Sequence, residues 1–251
     1  MILDEILKST RDRVASLDVD LKDAPSRATL SLAGAIARAP PRNAVIAELK
    51  LASPTLGNLR SVQDLEWLAW EAVRAGCSAL SVLTEPHFFG GSTRHLEQVR
   101  RVADVPVLRK DFIIDTRQLY ESRALGADAV LLIAAVLGER LPEFLDLAEH
   151  LSLEALVEVH SGDEADLAIS SGARLIGVNN RDLRTMGIDL ETTRRLSGKI
   201  RGRGRMVVAE SGIRSLADLR SLKSYCDAFL IGTAITLAKD PGKTVEALVC
   251  A

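Results

Sequence analysis

The chain has 251 residues, 47% of them hydrophobic and 26% charged, with a formal net charge of -2. That is enough apolar mass for one barrel-sized domain or two modest ones, and too little charge for a disordered chain. No basic stripe or acidic tail stands out, so the composition argues against nucleic acid or a membrane surface as a partner.

The opening segment MILDEILKSTRDR is charged from its fourth residue and lacks the unbroken apolar stretch of a signal peptide. The longest apolar run, Ala129 to Leu137, is far short of the roughly 18 residues that a membrane-spanning helix needs. A cytoplasmic protein is expected. Cys77, Cys226 and Cys250 are scattered, with no metal or redox spacing, and read as plain thiols in a reducing compartment. Residues 1–44 form a helical preface. Ile2, Leu3, Ile6, Leu7, Val14 and Leu17 recur near helical spacing and Pro25 interrupts. Leu30, Ala33, Ile36 and Ala37 then give a second short helix, ended by Pro40-Pro41. Its apolar stripe is expected to pack on the rest of the chain.

From residue 45 to 251 short β-like runs alternate with helical stretches. Strands are predicted at 45–49, 78–83, 106–110, 129–133, 154–159, 175–178, 205–209 and 228–231. Helices are predicted at 62–75, 93–102, 117–125, 138–151, 162–171, 190–197, 215–224 and 241–249. Regular alternation indicates parallel βαβ units, and eight of them make a closed (β/α)8 TIM barrel, here with an N-terminal helical extension. A weak repeat supports this: Gly76-Cys77-Ser78-Ala79, Gly126-Ala127-Asp128-Ala129 and Gly172-Ala173-Arg174-Leu175 each close a helix with glycine and open a strand. Tyr225-Cys226-Asp227-Ala228 keeps the pattern without the glycine. A doubly wound open sheet is the alternative fold.

The charges at the strand ends carry the chemistry. Glu48 and Lys50 share a parity at the end of the first strand and so point to one face. Lys110 ends the third strand in VLRKDF, Glu158 the fifth in LVEVH, and Glu210 follows the seventh in VVAESG. In a barrel these odd strands deliver side chains to one layer at the catalytic mouth, and Asn179 of IGVNN joins them from the sixth. Each charge alone reads as a loop-edge salt bridge; as a set they read as an acid–base ring. Mutual coupling is expected to bring a lysine toward neutrality as an acid. Ser211-Gly212 after the seventh strand and Gly232-Thr233 after the eighth, before a short helix at 234–237, suit a phosphate. Ser53-Pro54 adds a hydroxyl or is a simple turn. Phe89 and Phe112 form an aromatic wall or cap the barrel. His87, His95, His150 and His160 have no metal spacing and read as solvated or core-edge groups. Trp67 and Trp70 read as packing residues, and Arg201, Arg203 and Arg205 as a solvated loop.

These motifs resemble the indole-3-glycerol phosphate synthase family of tryptophan biosynthesis. The likeness runs from ILDEI through AELKLASPTLG, LTEPHFFGGS, LRKDFIID, ADAVLLIAAVL, LVEVH, IGVNNRDL, VVAESGI and DAFLIGT. It implies a carboxy-lyase that converts 1-(2-carboxyphenylamino)-1-deoxyribulose 5-phosphate to indole-3-glycerol phosphate, carbon dioxide and water. Neither cofactor nor metal is implied, and the partner is a small phosphorylated substrate for a monomer or weak homodimer. By resemblance Lys110 is the principal general acid and Glu158 the base of the dehydration. Lys50 meets the substrate carboxylate and shares acid duty, and Glu48, Asn179 and Glu210 position the others. Ser53, Pro54, Arg181, Ser211, Gly212, Gly232 and Thr233 are substrate contacts, while Phe89, Phe112, Leu131 and Leu230 wall the anthranilate ring. The chain departs from the family at Leu51 and Leu56, where arginine and lysine are usual, and the loss of two charges is expected to weaken steering. Phosphoribosylanthranilate isomerase, which needs a cysteine base, and a non-catalytic phosphometabolite-binding protein are the competing readings.

Overall fold

The computed structural model describes residues 2–18, 28–53, 56–182, 184–202 and 204–251; Pro25, Pro54 and Arg203 lie outside them. Eight strands carry the architecture: β1 (Ala44–Leu49), β2 (Ala79–Leu83), β3 (Val107–Lys110), β4 (Ala129–Ile133), β5 (Glu154–Val159), β6 (Leu175–Asn179), β7 (Met206–Glu210) and β8 (Ala228–Ile231). Each pairs in parallel with its neighbours in chain order, and β1 closes on β8 through Ala44↔Ala228 to Ala47↔Ile231. That closure gives the (β/α)8 barrel and excludes the open sheet.

Alternation along each strand divides the core into two layers. Ile46, Leu108, Leu131, Leu156 and Val208 fill the interior, whereas Val45, Val107, Val130, Val157 and Val207 face the surrounding helices. The glycines of the sequence repeat sit at the ends of helices with positive φ, +87° at Gly76, +84° at Gly126 and +87° at Gly172. Only glycine takes that conformation without a Cβ penalty, so these helices stop where the next strand must begin.

The first two helices, α1 (Ile2–Ala15) and α2 (Leu32–Arg38), meet opposite ends of the barrel. Leu32 and Ile36 of α2 join the interior layer, and Ser31 and the Ala33 N–H both donate to the Glu154 carboxylate at the start of β5. Ile6 of α1 is buried in the same cluster, against which Phe88 and Phe89 also pack. Arg13 of α1 donates to Asp111, just past β3, at 2.8 Å. These contacts tie both helices to the strands.

Two outcomes differ from the sequence reading. Trp67 and Trp70 of α3 (Leu65–Arg74) are not packing residues: they are 40% and 46% exposed, and Arg60 and Arg74 lie over their rings. At i, i+3 the pair shares a helix face, and that face is the outer one because Leu65, Leu68, Ala69 and Ala72 take the core side. Arg109, unremarked in the sequence, is fully buried on the outer side of β3. It pairs with Asp111 and Glu121 and bonds Thr84, Ser122 and the Gln118 carbonyl, so every donor direction of this internal cation is used.

Candidate active site

A cavity of about 700 Å³ opens at the C-terminal ends of the strands. Strand register sets its floor: Glu158 of β5 lies opposite Gly177 of β6, and two residues further along β6 Asn179 lies opposite Glu210 of β7. Lys110 Nζ reaches Glu210 at 3.0 Å and Glu158 at 3.4 Å. The Asn179 amide donates to the other Glu158 oxygen at 2.9 Å, while Lys50 holds Glu48 at 2.7 Å. The three carboxylates are buried; both lysines are partly open to the cavity.

Three acids against two bases leave the ring one negative charge in excess, and the ionisation of its members reflects this. Burial pushes the Glu48 carboxyl up, but the ammonium groups of Lys50 and Lys110 outweigh it and hold Glu48 below the usual carboxylate range. For Glu210 burial wins, and with Glu158 and Glu48 nearby the group is pushed up to about 7 despite Lys110. The expectation of a lysine brought toward neutrality is reversed at Lys110. Burial does act in that direction, but Glu210, Glu158 and Glu48 together raise its pKa above the ordinary lysine range. With all three carboxylates ionised, Lys110 holds its proton tightly.

Around this floor the walls differ in chemistry. Leu83, Phe89, Phe112, Leu131 and Ile133 make an apolar side, with the rings of Phe89 and Phe112 6.2 Å apart. Phe89 comes from the short helix α4 (Pro86–Phe89), which the Glu85 carboxylate caps by accepting three backbone N–H groups. Ser211, Gly212, Gly232 and Thr233 line the opposite side, with Ser53 on the first loop and Leu230 on β8. Gly212 has φ +81°, and a methyl there would meet Ile188 at 2.5 Å. A methyl at Gly232 would overlap the Glu48 carboxylate. Arg181 stands half-buried at the rim.

Every described residue singled out from the sequence for this site lines the one cavity. His160 stays outside it, its Nδ1 2.7 Å from the Asn179 carbonyl. Met186 and Ile188, folded back over the site by a bridge between Arg181 and Ile188, carried no sequence signal, being apolar residues in a loop without periodicity. Arg214 also lines the cavity and was missed, although a cation two residues beyond Gly212 was a legible cue. The two departures behave differently. Leu56 lines the cavity rim and is 55% exposed, whereas Leu51 is 8% exposed, packs in the outer core and contributes nothing to the lining. Cysteine is absent from the lining among the described residues, and burial pushes the Cys77 and Cys226 thiols up to about 12, which leaves an isomerase without its base.

A closed (β/α)8 barrel with a ring of lysines and carboxylates between an apolar wall and glycine-bearing loops after β7 and β8 is the arrangement of a barrel enzyme with a small-molecule site at the C-terminal ends of its strands. Solved structures of that shape include thiamine phosphate pyrophosphorylase from Pyrococcus furiosus, with TM-score 0.62 and 20% identity over 87% of this chain and 96% of that one. A 3-hexulose-6-phosphate synthase has TM-score 0.66 and 15% identity, covering 83% and 100%. These share the fold alone. The family model for indole-3-glycerol phosphate synthase matches residues 3–248, and the chain belongs to that family. Relatives of that name include the protein of Carboxydothermus hydrogenoformans, 46% identical over 89% of this chain and 86% of its own length. That of Methanopyrus kandleri is 42% identical over 98% and 97%.

Proposed function

We propose that the Lys110 ring carries out the family's ring closure, decarboxylation and dehydration. As a member of the family, the chain is a carboxy-lyase of tryptophan biosynthesis acting on 1-(2-carboxyphenylamino)-1-deoxyribulose 5-phosphate. One observation carries the assignment of roles: a lysine held by two carboxylates on the cavity floor, between an apolar wall and the glycine loops. The anthranilate ring lies against Phe89, Phe112, Leu131 and Leu230. The phosphate meets Ser211, Gly212, Gly232, Thr233 and Arg181, with Ser53 toward the sugar hydroxyls.

In this pose the ring carbon bearing the carboxylate attacks the ketone carbon. The carbonyl π pair moves to oxygen, which takes a proton from Lys110 Nζ. The C–C bond to the carboxylate then breaks, CO2 leaves, and its electron pair restores the aromatic ring. Glu158 next removes a proton from the neighbouring methylene while the hydroxyl takes a second proton and departs as water, forming the indole double bond. Lys50 pairs with the substrate carboxylate, and Asn179 and Glu48 hold Glu158 and Lys50 in place. The same reading takes the protein as cytoplasmic and as a monomer or weak homodimer, which sedimentation at assay concentrations checks.

The roles separate in variants. Lys110→Ala should lower release of both CO2 and indole by about 10²-fold or more. Glu158→Gln should release CO2 ahead of indole in the first turnovers, since only the later step needs its base. Near-normal turnover in the first, or matched CO2 and indole at a normal rate in the second, overturns the assignment.

A further inference from the structure

Ring closure, decarboxylation and dehydration leave a proton account that a single charge of Lys110 cannot close. Oxygen receives one proton when the ketone is attacked and a second when it leaves as water, while the base takes one back. Two protons go in and one comes out. The difference equals the charge lost when a carboxylate departs as neutral CO2, so each turnover consumes one proton. Lys110 holds one transferable proton at a time, and with Lys50 paired to Glu48 at 2.7 Å a second acid step through Lys110 needs it recharged.

Glu210 is placed for that task. One of its oxygens, Oε2, lies 3.0 Å from Lys110 Nζ. The other, Oε1, is fully buried without a hydrogen-bond partner. An ionised oxygen in that state forfeits its solvation with nothing in return, whereas a neutral carboxyl loses far less. The titratable groups around it are Glu48 of β1 with Lys50 beyond it, Lys110 of β3 and Glu158 of β5; β6 offers Asn179. Lys50 is engaged by Glu48, so Glu158 and Glu210 compete for one ammonium. Beside Oε1, β6 carries Gly177, where any Cβ would overlap that oxygen. The missing side chain makes the room in which the carboxyl sits.

We propose that Glu210 is the proton store of this ring, neutral in the resting enzyme and recharging Lys110 between its two acid steps. The inference rests on Lys110 being the acid of the reaction. Once Lys110 has given its proton to the carbonyl oxygen, its free amine takes the Glu210 proton across the 3.0 Å contact, after a half-turn of the carboxyl. Lys110 then protonates the departing hydroxyl. The proton that Glu158 removes from the methylene returns to Lys110 across 3.4 Å, and solvent restores the one on Glu210. No bond to carbon forms or breaks at Glu210, so it acts through Lys110. Its proton has a second effect: with Glu210 neutral, Lys110 loses a stabilising negative charge and becomes a stronger acid. The raised ionisation of Glu210, to about 7, accords with this geometry.

Infrared spectroscopy of the resting enzyme tests the store without substrate. A carboxylic-acid carbonyl band should titrate near pH 7 and be missing from Glu210→Gln. The same variant should lose about tenfold or more in kcat, and the fall of wild-type kcat with a midpoint near pH 7 should disappear from its profile. Circular dichroism of the variant shows whether it has folded, and Glu210→Asp, which keeps a carboxyl, should recover part of the rate. A band that persists in Glu210→Gln, or no band from about pH 5 to about pH 9, overturns the proposal. So does a variant with wild-type kcat and an unchanged profile. Loss of all turnover in the parent enzyme with the band intact would instead sink the assignment of Lys110 and leave the stored proton standing.

Discussion

Gly177→Ala probes the ring without touching any of its members. The residue faces inward on β6 opposite Glu158, and its φ lies outside the positive range, so alanine fits the backbone. The new methyl would overlap Glu210 Oε1, lie 3.0 Å from Glu210 Cδ and approach Leu156 Cδ1 at 3.4 Å. Glu210 must move, because backbone on either side fixes the strand. Overpacking of this kind costs about 1–3 kcal/mol, a Tm drop on the order of 5 °C for a domain of this size. Activity should suffer more. Displacing the partner of Lys110 by about 1 Å can cost about 10²-fold, and the loss should appear in kcat while KM holds, since the glycine loops are untouched. Initial rates of indole formation measure it. The decisive comparison repeats the change in a Glu210→Ala background, where there is no carboxylate to displace and the methyl should be nearly neutral. An equal loss in both backgrounds refutes the argument, because the effect would then come from the strand and not from Glu210.

The raised Glu210 pKa gives stability a pH slope of known sign. Below its ordinary value of 4.5 the proton is bound folded and unfolded; as pH rises through about 7 the folded state loses it too, and with it on the order of 3 kcal/mol of stability. Glu210→Gln should therefore be the more stable protein at pH 8 and lose that advantage near pH 5 in urea titrations; parallel curves contradict the burial argument. Gly212→Ala should raise KM several-fold and lower Tm, since φ +81° and the contact with Ile188 leave no place for a methyl. An unchanged KM removes Gly212 from the phosphate site. Leu56→Lys should lower KM at low ionic strength, with the gain shrinking in salt, because this exposed rim position faces an anionic substrate. Leu51→Arg should instead destabilise without helping KM, as it puts a charge into the outer core.

Much of this molecule was legible in the chain itself. Short apolar β-like runs and helix-closing glycines located the eight strands, because a barrel repeats one local rule and each βα unit declares itself. The charges at Glu48, Lys110, Glu158 and Glu210 stood out as a set, because a ring of ions at strand ends on one face is hard to explain as packing. What stayed hidden depends on distance in space. Arg109 and Asp111 flank Lys110 in VLRKDF, yet that they pair with each other, with Glu121 of the next helix and with Arg13 of α1 follows only from how the helices pack on β3. The same limit reversed the expectation for Lys110. Whether burial or neighbouring carboxylates win depends on how many acids surround one ammonium, and only the closed barrel shows there are three. Trp67 and Trp70 misled because aromatic residues at helical spacing signal a face without saying which face is covered.

Turnover of the family's substrate by this ring is measured directly. Purified protein mixed with 1-(2-carboxyphenylamino)-1-deoxyribulose 5-phosphate should give a rise in indole fluorescence matched by released CO2, and Lys110→Ala should reduce both by about 10²-fold or more. Absence of product at saturating substrate, with phosphate-dependent binding intact, would contradict it and leave a binding protein that has kept the shape of the site.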